Sequence, residues 1–327
     1  MFFINIVKSC KNTPTILNFT VKNDVGRYYK SMEISIWVWF AISIAAGAAL
    51  GLATTFLFAR LPESWLQDYD YDVNAANFRP AKRMQLFPHG VITCVGLALC
   101  YCASIIFAPE YYMSGNMLRI AVIFLLMPVL FMILMADKLN RIIPDQFSIF
   151  ILFLGVLAAV SDYTSGNFWF SDKAAWYLPM LNRIIAAVAG GGFLWLIGFL
   201  SMTFAGKEGM GQGDMKLMFA LGLLSGCYGL VVILYVSVFS ALIFAIPMLI
   251  RKRKRIREEE EIIKNSSNPR KKRRELELKR AQIHYADDPD YLAFGPFLAT
   301  GCAVFIAMEP FFYVHMFSYF NALGVMF

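Results

Sequence analysis

The stretch VVILYVSVFSALIFAIPMLIRKRKRIR, residues 231–257, joins two opposite kinds of sequence. Its first part, residues 231–250, carries no charge, whereas six of the seven residues 251–257 are Lys or Arg. A run of about 20 apolar residues is long enough to cross a bilayer as a helix. Basic residues that flank such a run mark the end that stays in the cytoplasm. The stretch therefore predicts a membrane-spanning helix with a cytoplasmic C-terminal end.

The rest of the chain has the same character. Of its 327 residues, 58% are hydrophobic and 16% are charged, and the mean hydropathy is +0.56. Soluble domains carry roughly 45–50% apolar and about 25% charged residues. The sequence therefore predicts an all-α polytopic membrane protein with about eight transmembrane helices. We place them at roughly 35–58, 90–108, 117–136, 146–162, 182–205, 214–227, 229–250 and 292–325, the last long enough to bend or break.

Charge divides the chain into segments. Residues 251–290 hold 14 of the 30 Lys and Arg residues. Such a block could bind nucleic acid or acidic lipid; we interpret it as a solvated, partly helical cytoplasmic loop and expect no nucleic acid partner. Counting spans from it makes 59–89 cytoplasmic too. Residues 1–31 are too basic for the outside, so we expect an N-terminal extension of doubtful status, with Met32 as a natural start. Residues 32–327 then form one membrane-embedded domain.

Two carboxylates stand out because charges at membrane depth are costly and often functional. Asp137 ends the third run and Asp214 begins the sixth, and the topology puts both at the cytoplasmic face. No histidine is placed to serve them, and the cysteines contain no CxxC pair, so we expect no zinc. Two facing carboxylates share one proton, which suits hydrolysis of a peptide bond without a cofactor.

Glycines surround the second carboxylate in GKEGMGQGD, residues 206–214. We interpret them as positions that let a substrate backbone approach closely. The helix dipole favours a negative charge on Asp214, at a helix start, and disfavours one on Asp137, at a helix end. We therefore expect Asp214 to be the ionised base, although Lys138 and Arg141 oppose this bias. Asp145, which follows Pro144, is typical of a helix cap.

Four stretches together resemble the type IV prepilin peptidases, membrane-embedded aspartic proteases with a GxGD signature. GKEGMGQGDMKL, residues 206–217, contains that signature, and DKLNRIIPD, residues 137–145, resembles the family's D-x6-P-[DN] turn. FGPFLA, residues 294–299, resembles the block that begins the last span. FLFARLP, residues 56–62, resembles the exit from the first.

The resemblance implies an aspartic endopeptidase of the bacterial inner membrane with Asp137 and Asp214 as its catalytic pair. It implies prepilin or pseudopilin precursors with short basic leaders as substrates, cut at the cytoplasmic face, and membrane lipids as surroundings. The other motif residues it implies, for substrate approach, are Gly209, Gly211, Gly213, Lys216, Pro144, Gly295 and Pro296. Many members also N-methylate the new N-terminus with S-adenosylmethionine and carry two CxxC pairs in the first cytoplasmic loop. Residues 59–89 have no cysteine, so methylation stays open.

Three other interpretations remain. Presenilin-type proteases share GxGD, but they pair it with a YD motif, where this chain has MAD, and with a later PAL motif, where it has FGPFLA. A proton- or cation-coupled transporter could use the same aspartates, although transporter sites usually lie near the midplane. A membrane scaffold that recruits partners through residues 251–290 would leave the glycine–aspartate motif unexplained.

Overall fold

The computed structural model describes residues 25–67, 74, 78–113, 116–165, 176–206, 210–266, 268–281 and 292–317. The chain divides into two compact units, residues 1–38 and 39–327, and both aspartates lie in the second. Most of the predicted N-terminal extension falls outside the described residues, and the division at residues 31 and 32 stays a prediction.

The described elements are all helical. They are α1 (Val25–Ala59), α2 (Val91–Phe107), α3 (Pro109–Met113), α4 (Met117–Asn140), α5 (Asp145–Ser165), α6 (Leu178–Ala205), α7 (Gln212–Lys264), α8 (Pro269–Ala281) and α9 (Gly295–Phe312). Short 3-10 and π-helical turns flank them at Glu63–Trp65, Leu86–Gly90 and Tyr313–Phe317. Seven helices of the described chain, all except α3 and α8, are long and apolar enough to cross a membrane. The predicted all-α polytopic class is confirmed.

The count differs from eight because the predicted runs 214–227 and 229–250 share the single helix α7. A break at Gly226 divides that helix into α7a, residues 212–225, and α7b, residues 227–264. Gly226 has φ 71° and ψ 179°, a region that is essentially restricted to glycine. The predicted boundary, between residues 227 and 229, lies close to this break, but the apolar runs gave no sign that a single residue makes the connection.

The chain reverses direction at this break. Gly213 of α7a packs on Ile143, which also packs on Gly295 at the start of α9. Ser237 of α7b lies at the same level, since its hydroxyl donates to the carbonyl of Phe297 at 3.0 Å. In a straight helix Gly213 and Ser237 would be about 36 Å apart. The two halves of α7 therefore run antiparallel, and α7a is a short helix of 14 residues that carries Asp214 back into the bundle.

The other predicted features agree with the helices in most respects. The last helix does bend, at Met308 (φ −125°, ψ 18°), two residues before Pro310. Residues 251–264 continue α7b as helix beyond its apolar part, and α8 adds a second helix to the predicted basic loop. At the aspartate end, a buried cluster ties the exit of α1 to α4; its members are Phe58, Leu66, Met84, Met135 and Ala136.

We expect Gly226→Ala to destabilise the protein more than Gly206→Ala, the same change at the other described glycine with positive φ. A Cβ there would lie 2.4 Å from the amide nitrogen of Asn182, and the backbone conformation itself would cost about 1–3 kcal/mol. Gly206→Ala is the matched control, because Gly206 also has positive φ (61°) but nothing lies within 4 Å of an added Cβ. Thermal unfolding in detergent should show a clearly larger loss for Gly226→Ala. Equal losses would contradict the role of the break.

Candidate active site

The first aspartate sits where α4 gives way to a tight loop. Asp137 lies one turn before the end of α4, and its carbonyl accepts the backbone N–H of Arg141 at 2.9 Å. Arg141 ends the helix in a left-handed conformation with φ 61°. Pro144 cannot donate a backbone hydrogen bond, so it suits the position immediately before α5 begins at Asp145. The D-x6-P spacing thus encodes a helix end, the four-residue loop 141–144 and a new helix start.

The second aspartate lies in the first turn of α7a. Gly211 precedes the helix in an extended conformation (φ −69°, ψ 141°), and Asp214 is the third helical residue. A Cβ added to Gly211 would lie 3.3 Å from Oδ2 of Asp214, which shows that this carboxylate reaches back over the helix start. Free N–H groups and the positive end of the helix dipole favour an acidic residue there.

Glycines and one isoleucine bring the two aspartates together. A Cβ on Gly213 would lie 3.1 Å from Cβ of Ile143. A Cβ on Gly295 would lie 2.7 Å from Cδ1 of the same isoleucine. The same Cβ on Gly295 would be 2.6 Å from Oδ2 of Asp137. Gly213 and Gly295 thus permit close packing of α7a and α9 around the loop that follows Asp137. The contacts that the structure shows at these two glycines are internal, and substrate approach at them stays a prediction.

The two carboxylates lie close enough to repel each other, and both are nearly buried, with 5% exposure for Asp137 and 8% for Asp214. Their partners differ. Asp137 accepts a hydrogen bond from the backbone N–H of Gly295, with the Arg141 guanidinium nearby. Oδ1 of Asp214 is buried and has no hydrogen-bond partner among the described residues. Like charges at short range cannot both remain ionised, so the pair can hold one proton and offer one base.

The other motif residues that the structure describes lie near the two aspartates. Lys216 binds Asp145 through both carboxylate oxygens, at 2.7 and 3.0 Å, so Asp145 does more than cap α5. Pro144 is buried in the loop, and Pro296 lies in the first turn of α9. Gly209 falls outside the described residues.

A polar clasp beside Asp137 was missed by sequence reasoning. Asn140, one turn beyond Asp137, holds the backbone of Lys82 with two hydrogen bonds: its Oδ1 accepts the N–H at 2.8 Å and its amide donates to the carbonyl at 3.1 Å. Glu63 fixes the same segment by accepting from the Ala81 N–H and by pairing with Arg83. Residues 81–83 are thus fastened to the aspartate end of α4.

Glu63 makes this clasp sensitive to acid. Partial burial opposes its charged form, but hydrogen bonds from Ala81, Gln67 and Arg83 outweigh that cost and leave the pKa of Glu63 below its ordinary value. A depressed pKa stabilises the folded loop above the unfolded value, about 4.3, and the contribution is lost as pH falls through the folded pKa. At pH values lower than about 4, we expect the Ala81 N–H to lose protection against hydrogen exchange, after correction for intrinsic rates.

The Lys82 N–H is the internal control for this measurement. Its acceptor is the neutral amide of Asn140, so its protection should change less over the same pH range. In Glu63→Gln the pH dependence at Ala81 should disappear. An Ala81 N–H that stays protected in the acid range while Glu63 is present would contradict the assignment.

The described residues also bear on cofactor binding. Within the described part of the chain, no group of three His, Cys, Asp or Glu side chains could hold a metal ion. Two cavities between helices, of about 400 and 310 Å³, are lined mainly by apolar side chains. The lining of the first also includes the paired side chains of Asp145 and Lys216. We derive no step through S-adenosylmethionine. The expected absence of zinc stays a prediction.

Comparison with known proteins matches the segment that contains both aspartates. Residues 123–246, 124 of 327, match the type IV leader peptidase family. Three proteins named prepilin leader peptidase/N-methyltransferase are similar to parts of the chain. The protein of Xanthomonas campestris pv. campestris is 30% identical over 101 residues, 31% of each chain. That of Neisseria gonorrhoeae is 32% identical over 116 residues, 36% of each, and that of Klebsiella pneumoniae is 26% identical over 125 residues, 38% of this chain and 46% of the relative.

These alignments span about a third to under a half of the relatives' own length. No solved structure matches the chain. The resemblance to the type IV prepilin peptidases, first seen in short motifs, is confirmed for residues 123–246.

Proposed function

We propose that the protein is a membrane-embedded aspartic endopeptidase that removes the short basic leader of type IV prepilin-like precursors. One observation carries the proposal. Two nearly buried aspartates from separate helices meet at one end of the bundle, within the segment that matches the leader peptidase family. The proposal places this end at the cytoplasmic face of the bacterial inner membrane, in keeping with the basic residues that follow the apolar part of α7b.

The chemistry needs only the two carboxylates and water. The ionised member of the pair accepts a proton from a water molecule, which attacks the scissile carbonyl. The protonated member donates a hydrogen bond to the carbonyl oxygen and stabilises the negative charge that develops there. The proton then passes to the leaving amine, and the pair returns to its starting state. Burial strengthens each of these interactions, because little water competes for the charges.

Which aspartate holds the proton is decided by opposing effects. The start of α7a favours a negative charge on Asp214, whereas the Gly295 N–H and Arg141 favour one on Asp137. Our expectation from the helix dipole alone therefore stays a prediction, and the spectroscopic test described in the Discussion distinguishes the two assignments.

The basic residues after the apolar part of α7b bear on how the protein contacts the membrane surface. Arg251 to Arg257 follow the apolar part of α7b without a break in the helix, so they stand at headgroup level. Each Lys or Arg near an anionic surface contributes about 1 kcal/mol of attraction. We propose acidic lipid headgroups as their neighbours. The transporter alternative gains no support, since the family match and the named relatives all concern leader peptidases.

The decisive experiment reconstitutes the full chain in lipid vesicles and adds a precursor that carries a basic leader and a Gly–Phe junction. We expect one cut at the junction, identified by the masses of both products, and the same rate in the presence of a metal chelator. A second reaction with S-adenosylmethionine would reveal methylation as the mass of one added methyl group. If several such precursors remain intact while the reconstituted protein is folded, the proposed function is wrong.

A further inference from the structure

A second cluster of buried charge lies at the other end of the helices. Its members are Arg119 of α4, Asp162 of α5, Arg183 of α6 and Glu309 of α9, whose side chains are all at most 8% exposed. Arg119 is 18 residues before Asp137 in the same helix, which corresponds to about 27 Å. Two cations and two anions make the cluster neutral. None of these residues has a part in the proposed reaction, yet ionisable groups buried in a membrane protein are costly to keep.

Arg183 connects this cluster to the helix that carries Asp214. Its Nε donates to Oδ2 of Asp162 at 3.0 Å, and its Nη2 pairs with the same oxygen. Its Nη1 donates to the carbonyl of Leu223 at 3.1 Å and to that of Leu224. These carbonyls belong to the last turn of α7a, where the break at Gly226 removes the next helical N–H donors. One guanidinium thus caps α7a and is itself oriented by Asp162.

The neighbouring residue of α6 secures the far side of the break. Oδ1 of Asn182 accepts the N–H of Cys227 at 3.3 Å, and its backbone carbonyl accepts the thiol of the same residue at 3.3 Å. Consecutive residues of α6 therefore bind the last turn of α7a and the first residue of α7b. The position of the break along α6 is fixed from both sides.

The connections at the two ends of α7a constrain its position only weakly, so an anchor elsewhere matters. The helix begins after Gly211 and ends at Gly226, so neither connection is stiff. A slip by one residue would move the helix 1.5 Å along its axis and turn it by 100°. Asp214, in its first turn, would then point away from Asp137. The cap at the last turn opposes both the slip and the rotation, together with the close packing of Gly222 on Ala186 of α6.

We propose that Arg183, held by Asp162, is a positioning residue that sets the depth and rotation of α7a and so places Asp214 against Asp137. The inference rests on the proposed function for its kinetic part. The Arg183–Asp162 ion pair would then align Asp214, which lies about 15 Å along α7a from Leu224. Misplacement of a catalytic group by about 1 Å can cost a hundredfold in rate.

The test removes the pair as a unit. Arg183→Met/Asp162→Leu deletes one cation and one anion, which leaves no unpaired charge and often preserves folding. It also deletes the donors to Leu223 and Leu224. We expect kcat for leader cleavage to fall about tenfold to a hundredfold with KM unchanged, because the precursor still binds but the aspartates are misaligned.

The same cluster supplies the matched control. Arg119→Met/Glu309→Leu removes the other cation and anion at the same depth, yet leaves Arg183 on the carbonyls of α7a. The break at Met308 separates Glu309 from the part of α9 that carries Gly295. Nη1 of Arg119 also lies 3.9 Å from Oδ1 of Asp162, but Arg183 keeps its own bonds to Asp162 and to α7a. We therefore expect this variant to keep kcat within about threefold of the wild type.

A chemical cross-link provides a measurement that does not depend on activity. A Cβ on Gly213 would lie 3.1 Å from Cβ of Ile143, so a shift of a few tenths of an ångström brings the pair to the separation in a disulfide, about 3.5–4.5 Å. Ile143→Cys/Gly213→Cys should form this disulfide under mild oxidation in membranes, detected by mass spectrometry. Arg183→Met/Asp162→Leu should reduce its yield severalfold, and Arg119→Met/Glu309→Leu should not.

The outcomes separate the inference from the proposed function. If kcat and the cross-link yield are unchanged in folded Arg183→Met/Asp162→Leu, the inference is overturned. It is also overturned if both double variants lose activity equally, because a general loss of stability would then explain the result. If the wild type cleaves no precursor, the proposed function fails, and the cross-link alone still decides whether Arg183 positions α7a.

Discussion

Asp137→Asn and Asp214→Asn should each lower the rate of leader cleavage by at least about a thousandfold while the protein remains folded. Asparagine has the size of aspartate but cannot donate or accept a proton at neutral pH. Either substitution leaves the site without one half of its acid–base pair. Because the two carboxylates repel each other and are nearly buried, removal of one should not destabilise the bundle. The measurement is the initial rate of product formation at equal amounts of folded protein.

Glu110→Gln is the control for this pair of substitutions. Glu110 lies in α3, outside the aspartate site, and the change also converts a carboxylate to an amide. Its cleavage rate should stay close to that of the wild type. Cleavage at the wild-type rate by Asp137→Asn or Asp214→Asn would remove that residue from the reaction, and cleavage by both would end the aspartic protease interpretation.

The same variants identify the residue that holds the proton. A protonated carboxyl group has an infrared carbonyl band that a carboxylate lacks. If Asp214 holds the proton at neutral pH, the band of the wild type should disappear in Asp214→Asn and persist, or change little, in Asp137→Asn. Loss of the band only in Asp137→Asn would support the assignment from the helix dipole. A band shared between both residues would indicate a coupled pair.

The sequence predicted the helices and the aspartate pair because both leave local patterns. Apolar runs of span length predict helices, and the motifs around Asp137 and Asp214 are contiguous. Topology then placed both at one end, even though they are 77 residues apart. Gly226 was not recognised as the break, since SGCYG contains two glycines and only one, at φ 71°, turns the chain.

Contacts between distant residues could not be predicted from the sequence. Nothing local indicates that Arg183 reaches the carbonyls of Leu223 and Leu224, or that Asn140 binds the backbone of Lys82. Each pairing depends on helix packing over 40 to 58 residues of chain. Arg119 and Glu309 pair across 190 residues of chain. The sequence supplied candidates for function, and only the fold distinguishes a catalytic carboxylate from a structural one.

Gly295→Ala should lower kcat by about tenfold to a hundredfold with little change in thermal stability. The added methyl group would lie 2.6 Å from Oδ2 of Asp137 and 2.7 Å from Cδ1 of Ile143. Both atoms are at the ends of side chains, so they can move aside at small cost to the fold. The Asp137 carboxylate, however, would leave the position in which it accepts the Gly295 N–H and faces Asp214. The expected result is therefore a catalytic defect in a stable protein.

Gly192→Ala is the matched control, because nothing lies within 4 Å of a Cβ added there. That variant should retain both the cleavage rate and the melting temperature of the wild type. Gly295→Ala with unchanged kcat would show that Asp137 tolerates displacement, and the close contact would then serve packing alone. A large drop in melting temperature would instead mean that Ile143 cannot move aside, so that Gly295 is needed for assembly of the site. A lower kcat at an unchanged melting temperature supports our expectation, since the fold then tolerates the methyl group and the Asp137 carboxylate is displaced.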